Sequence, residues 1–205
     1  MNNSTSYWLK KGIHNGMPIA LGYLAVSFTL GIAAKNAGLT ALQAALASII
    51  CHASAGEFAG FTLIAALAAY TEIAVMELII NARYFLMSCA LSQKLDNKMP
   101  FFHRLIMGLF VTDEIFGLTV SVPEKLNPAY MYGMVLVASP AWVLGTYFGV
   151  LFGNILPDNI VSALSVGLYG MFIAIIIPPA RKNHIIAGVV AISMKIGRAS
   201  CRERV

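Results

Sequence analysis

Residues 41–70 read ALQAALASIICHASAGEFAGFTLIAALAAY, an apolar stretch interrupted once, by His52-Ala53-Ser54-Ala55-Gly56-Glu57. Crossing the hydrocarbon core of a bilayer takes about 20 helical residues. This stretch is too long for one ordinary span and short for two. Two half-helices that meet at Gly56 fit it best. The whole chain agrees with a membrane reading: it is 59% hydrophobic and 11% charged, with mean hydropathy +0.76. A soluble domain has a polar surface to cover and carries about 25% charge. The sequence therefore predicts an all-α, polytopic helical membrane protein and excludes a soluble globular domain.

Working outward from the broken stretch, a first helix is predicted over 17–34, opened by Pro18, a favoured first-turn residue, with 35–40 as the connection. On the other side come a helix over 72–92, a polar loop over 93–104 and a helix over 105–122 stopped by Pro123. A loop with Glu124, Lys125 and Pro128 leads to a helix over 130–152, and the linker 153–159 contains Pro157. Residues 160–177 form a second broken region, interrupted by Gly167 and Gly170 and ended by Pro178-Pro179. Arg181, Lys182 and His184 precede a last, truncated helix. About six to seven membrane segments result, two of them broken into half-helices.

Lys and Arg in short loops mark the cytoplasmic side. The clusters are Lys10-Lys11, then Lys94, Lys98 and Arg104, then Arg181-Lys182. All three, and the N-terminus, face the cytoplasm if 41–70 begins and ends outside and 160–177 begins and ends inside. The helix over 21–34 with its broken region resembles the helix over 130–152 with its own. Gly31 aligns with Gly149, and Ala44-Ala45-Leu46-Ala47 with Ser162-Ala163-Leu164-Ser165. The two copies would have opposite membrane orientation. Interrupted helices at matching positions of an inverted repeat mark the binding site of many transporters.

Ionisable side chains inside a span cost about 2.5–3.5 kcal/mol each and are functional candidates by default. Arg83 lies about 16 Å of helix from the Lys94 end, and Asp113 about 14 Å beyond Arg104. An ion pair of Arg83 with Asp113 or Glu114 would cut the desolvation cost of both charges, as a strut or as part of a transport cycle. Glu77, Asn81, Tyr84 and Ser88 share one side of a helix, lining either a cavity or a polar helix contact. Glu57, beside Gly56, either caps the second half-helix or binds an ammonium group or a coupling proton. His52 is either a hydrogen-bonded interior histidine or a ligand. Asp113 and Glu114 are adjacent, so they project about 100° apart and do not form a carboxylate dyad by themselves.

No Walker, dinucleotide-glycine, CxxC or HExxH motif occurs, so no cofactor or metal is expected. Cys51 and Cys89 lie in apolar segments and show no disulfide framework. The last residues, KIGRASCRERV, contribute +3 of the net +5 and contain Cys201. They break abruptly from the apolar helix before them. Residues 195–205 read as a non-native readthrough tail behind a single transporter domain over 1–194 whose natural C-terminus is missing. Outside that tail no basic patch suits nucleic acid.

Several segments together resemble a family. Gly16-Met17-Pro18-Ile19-Ala20-Leu21-Gly22-Tyr23, Ser27-Phe28-Thr29-Leu30-Gly31 and Ala37-Gly38-Leu39-Thr40 look like the start of AzlC-type branched-chain amino acid permeases. Ala53-Ser54-Ala55-Gly56-Glu57-Phe58 stands where that family has a small-residue motif ending Gln-Phe. Asn81-Ala82-Arg83-Tyr84 is similar to its Asn-x-Arg-aromatic segment, and Thr112-Asp113-Glu114 to its Thr-Asp-Glu segment. The likeness covers roughly 12–194. It implies a secondary exporter of branched-chain or related amino acids in the bacterial cytoplasmic membrane, coupled to an ion gradient and working with a small AzlD-type membrane subunit. Glu57 in place of the usual Gln leaves room for a more cationic or more polar substrate. A non-transporting assembly subunit and an intramembrane enzyme are the competing readings.

Overall fold

The structure, a computed structural model, describes residues 5–96, 99–123, 125–153, 155, 159, 163, 177, 180–181 and 184–202. Among these residues all regular structure is helical. The chain divides into two units, Met1–Leu168 and Tyr169–Val205. The first holds α1 (Thr5–Asn36), α2 (Ala41–Cys51), α3 (Ser54–Ala65), α4 (Tyr70–Asn81), α5 (Arg83–Lys94), α6 (Phe101–Leu109), α7 (Asp113–Val120) and α8 (Pro128–Phe152). The second contributes α9 (His184–Arg202), which runs unbroken across Lys195. Among the described residues three stretches are long and apolar enough to cross a membrane: α1, α8 and α4–α5 taken together.

Glycine decides how α1 and α8 meet. A Cβ on Gly12 would strike the Tyr130 carbonyl and one on Gly31 the Thr146 carbonyl, while Gly133 faces Gly12 and Gly149 faces Gly31. Small residues let two membrane helices approach backbone to backbone. The paired positions climb together, so α1 and α8 run parallel. Ala34 of α1 and Met131, Met134, Ala138 and Thr146 of α8 are fully buried. Call the end where α1 starts the near end and the end where it finishes the far end.

Gly38 turns the chain at the far end with φ +80°. Thr40 then starts α2 with a reciprocal cap: Gln43 N–H donates to Thr40 Oγ1 and Thr40 N–H to Gln43 Oε1. The α2 helix descends against α8, pairing Ser48 with Thr146 and His52 with Ser139. At His52 the backbone takes the left-handed conformation, φ 46° and ψ 38°, and the chain reverses. Glu57 of α3 is back beside Ser48. So α2 and α3 enter from the far end, stop at mid-depth and return, as the paired half-helices expected for 41–70. The break falls at His52-Ala53, one turn before Gly56.

From the far end, α4 and α5 cross to the near end with an interruption at Ala82, inside the helix expected over 72–92. Then comes the largest departure from expectation. The predicted span over 105–122 does not cross. Helix α6 rises beside α8, where His103 meets Tyr132, and ends at Leu109. After Phe110-Val111-Thr112 the chain reverses into α7, which returns alongside α5: Asp113 pairs with Arg83 and the Lys94 ammonium binds the Val120 and Val122 carbonyls. This second re-entrant pair enters from the near end, opposite to the first.

Two corrections follow. The loop with Lys125 and Pro128 belongs to the near end, not the far one, because α7 turns back. For the same reason α8 starts where α1 starts, so the helices over 21–34 and 130–152 have the same orientation and are not inverted copies. The inverted relation holds instead between α2–α3 and α6–α7. Pro18 also lies inside α1 rather than at its start, as membrane helices tolerate. The broken region expected over 160–177 lies outside the described residues, save Ala163 and Ile177.

Candidate functional site

The tips of the two re-entrant pairs meet at mid-depth between α1 and α8. The His52 ring packs edge-on against Phe110, centroids 5.7 Å apart, so the first reversal touches the second. Tyr23 of α1 and Trp142 of α8 close the cluster, with centroids 5.1 Å apart. His52 is the hydrogen-bonded interior histidine that one reading expected: its Nε2 lies 2.9 Å from Ser139 Oγ.

Each tip brings a carboxylate into this core from the first turn of a half-helix. Glu57 is 2% exposed. Its Oε2 accepts from Ser48 Oγ at 2.7 Å and its Oε1 from Trp142 Nε1 at 2.7 Å. Behind Ser48, Thr146 Oγ1 stands at 2.8 Å. The Glu57 carboxylate also accepts from the Ala53 N–H at the start of α3. The N-cap is Ala53, which has no side-chain bond to give. On the other tip Thr112 caps α7, accepting from Ile115 N–H. The Tyr23 hydroxyl donates to Glu114 Oε2 at 2.6 Å and sits 2.6 Å from Thr112 Oγ1, whose proton it can accept. Helix N-termini carry partial positive charge, so both carboxylates lie where a half-helix favours an anion.

Asp113 and Glu114 diverge as the helix geometry requires. Asp113 faces α5 and pairs with Arg83 at 3.1 Å, while Glu114 faces α1. Arg83 also lies over the Tyr84 ring, 5.2 Å from its centroid. The expected pair forms, though between helices that run parallel rather than antiparallel.

The polar stripe of α4–α5 has a separate place. Glu77, Asn81, Tyr84 and Ser88 line a groove of about 450 Å³ with Gly108 of α6, and Glu77 and Asn81 also make a polar contact with the neighbouring half-helices. Glu77 Oε2 accepts from Asn81 Nδ2 at 2.8 Å and lies 3.7 Å from Cys51 Sγ. Glu77 and Asn81 face Gly56 and Glu77 also faces Gly60, where a Cβ would crowd them. Gly56 thus lies one turn past the break and gives clearance for these two side chains. The expected residues therefore fall into two sets on either side of α3. His52, Glu57 and Glu114 are central. Glu77, Asn81 and Tyr84 line the groove, and Arg83–Asp113 stands beside them.

Sequence reasoning passed over Ser48, Tyr23, Trp142 and Thr146. A signal existed for two of them. Buried Tyr and Trp need a partner for their O–H or N–H, so Tyr23 and Trp142 in the middle of apolar spans imply polar groups at the same depth.

The family described as AzlC protein matches residues 18–156, a range that includes every residue of the central cluster. An uncharacterized membrane protein of Archaeoglobus fulgidus is 33% identical over 188 residues, 91% of this chain and 82% of its own length. The Escherichia coli inner membrane protein YgaZ is 23% identical over 148 residues, 70% of this chain. A membrane protein of Helicobacter pylori strain J99 is 26% identical over 151 residues, 71% of this chain. The matches span 60% and 64% of the length of these last two relatives. No solved structure matches.

Proposed function

The chain belongs to the AzlC family of membrane proteins, and on that premise we propose that it is a secondary transporter exporting branched-chain or related small amino acids across the bacterial cytoplasmic membrane, driven by an ion gradient. The observation that carries this reading is the meeting of two oppositely inserted re-entrant pairs at mid-depth, each presenting a half-helix N-terminus and a buried carboxylate. Broken helices at the midplane are how many carriers hold a zwitterion: the half-helix N-terminus suits its carboxylate and a side-chain carboxylate its ammonium group. Here Glu57 is the group for the ammonium or for the coupling ion, and the tips that meet at His52 and Phe110 form the barrier. Separating them from one side or the other would give alternating access. We read the protein as a carrier and not an enzyme, because Asp113 and Glu114 are committed to different partners.

The basic residues Lys10, Lys11, Lys94, Arg104 and Lys125 belong to the near end, which we assign to the cytoplasm together with the N-terminus. The α4–α5 span is almost bare within its unit, with Leu78, Ile79, Phe85 and Leu86 exposed. That face suits lipid or a small AzlD-type subunit.

The test is amino-acid efflux from dipeptide-fed cells that express the protein with such a subunit, comparing it with Glu57→Gln. Export is expected from the parent, and the substitution is expected to slow it about tenfold or more or to change which amino acids leave. Export with unchanged rate and selectivity in Glu57→Gln would make Glu57 a packing residue. Unchanged internal pools of all amino acids would remove the transport reading and favour an assembly subunit.

A further inference from the structure

Glu77 is a carboxylate at membrane depth whose partners are neutral. Its contacts are the Asn81 amide and the Cys51 thiol. Among the described residues no cation pairs with it, and Arg83, six positions along, is held by Asp113 at 3.1 Å. Asn81 is turned so that its Nδ2 serves Glu77, which leaves Asn81 Oδ1 buried with no donor. Both acceptors converge on the notch of α3 at Gly56. Glu77 Oε2 lies 2.6 Å, Asn81 Nδ2, which donates to Glu77, 2.9 Å and Asn81 Oδ1 3.1 Å from the point where a Gly56 side chain would begin. Glu77 Oε1 lies 2.9 Å from the same point on Gly60. Glu77 and Asn81 also line the groove that Tyr84, Ser88 and Gly108 complete.

We propose that Glu77 and Asn81, facing the Gly56–Gly60 side of α3, form a seat for a small monovalent cation, either an alkali ion or a primary ammonium group. Oxygen acceptors with one negative charge, one of them lacking a donor, are what such a cation satisfies. Divalent ions favour larger oxygen sets with more carboxylate than this. The seat is distinct from the central cluster, from which the α3 backbone separates it. Its existence does not rest on the transport reading, since it is an equilibrium binding site.

The experiment uses the full chain purified in detergent, with radiolabelled sodium binding and thermal melting in sodium, methylammonium or choline chloride at equal ionic strength. A ligand that binds only the folded state raises its melting temperature. Saturable sodium binding, or melting raised by sodium or methylammonium above choline, is expected. Displacement of labelled sodium by methylammonium identifies the shared seat. Stabilisation by methylammonium without sodium binding identifies an ammonium seat, and sodium binding that methylammonium does not displace an alkali seat. Glu77→Gln is expected to weaken the response by about tenfold or more. Any response that remains in Glu57→Gln and is lost in Glu77→Gln belongs to this seat, which separates it from the central one. Should Glu77→Gln fail to fold, Asn81→Ala keeps the carboxylate, removes the unpaired oxygen and is expected to weaken binding by a similar factor. Equal melting in all three salts with no sodium binding overturns the proposal, as does a folded Glu77→Gln or Asn81→Ala that responds like the parent.

Discussion

The two re-entrant pairs, α2–α3 and α6–α7, solve one problem in different ways. Each stops at mid-depth, reverses and carries a carboxylate in the first turn of its returning helix. In α6–α7 the reversal is secured on every side: Thr112 caps α7, Tyr23 donates to Glu114, and Asp113 has the guanidinium of Arg83. In α2–α3 the N-cap is an alanine with no side-chain bond to give, and Glu57 is answered by the dipoles of Ser48, Trp142 and the Ala53 N–H. Glu114 too is met only by dipoles, but its neighbour Asp113 ties that tip to Arg83, whereas the Glu57 tip has no ion pair among the described residues and its charge can still gain from a mobile cation or proton. On the proposed transport reading, the difference favours anchoring by the near-end pair and an exchangeable charge on the far-end pair.

The comparison breaks first at Arg83. Arg83→Leu leaves Asp113 at membrane depth without its cation. A lone charge there costs about 2.5–3.5 kcal/mol. The two side chains are 37% and 26% exposed, so the expected loss of stability is about 2 kcal/mol. Melting in detergent checks it, and adding Asp113→Leu should recover most of the loss. A single variant that melts like the parent would mean that the pair does not anchor α7.

A smaller break removes one donor from each carboxylate. Tyr23→Phe and Trp142→Phe each delete a hydrogen bond to a charged group, worth about 1.5 kcal/mol or somewhat more. Both variants should lose comparable stability. Their transport should differ: Trp142→Phe, which frees Glu57, shifts the amino-acid profile of efflux, and Tyr23→Phe does not. Equal shifts in both would place Glu114 in the same working role as Glu57 and dissolve the distinction.

How far the sequence revealed this arrangement depended on what marked each reversal. The first was legible because His52 and Glu57 interrupt an apolar run too long for one span. The second was hidden because Phe110 and Val111 are as apolar as the helices they separate. Its signal was a different one. Thr112-Asp113-Glu114, a capping residue followed by acids in the first turn, is how a helix begins, and it stands in the middle of what hydropathy draws as one span. Missing that start inverted everything after it, including the direction of α8. Depth arguments fared better. Counting residues from Lys94 and Arg104 put Arg83 and Asp113 at one level, and that survives whether their helices run parallel or antiparallel. The partition of Glu57 from Glu77 was not legible, since it depends on which face of α3 each approaches.

The smallest test makes the two tips alike. Thr112→Ala gives α7 the uncapped start that Ala53 gives α3, at a cost of about 1 kcal/mol for the lost cap. Thr112 also touches Tyr23, but the tyrosine keeps Glu114 as its acceptor, so little more is lost. If melting falls by that amount and efflux persists, the cap is part of the anchoring, and an uncapped tip is compatible with a carrier, as α3 already suggests. If efflux collapses while melting barely moves, the second tip is not an anchor. The fixed tip and the working tip would then have to trade places in the account of how the two half-helix pairs divide their labour.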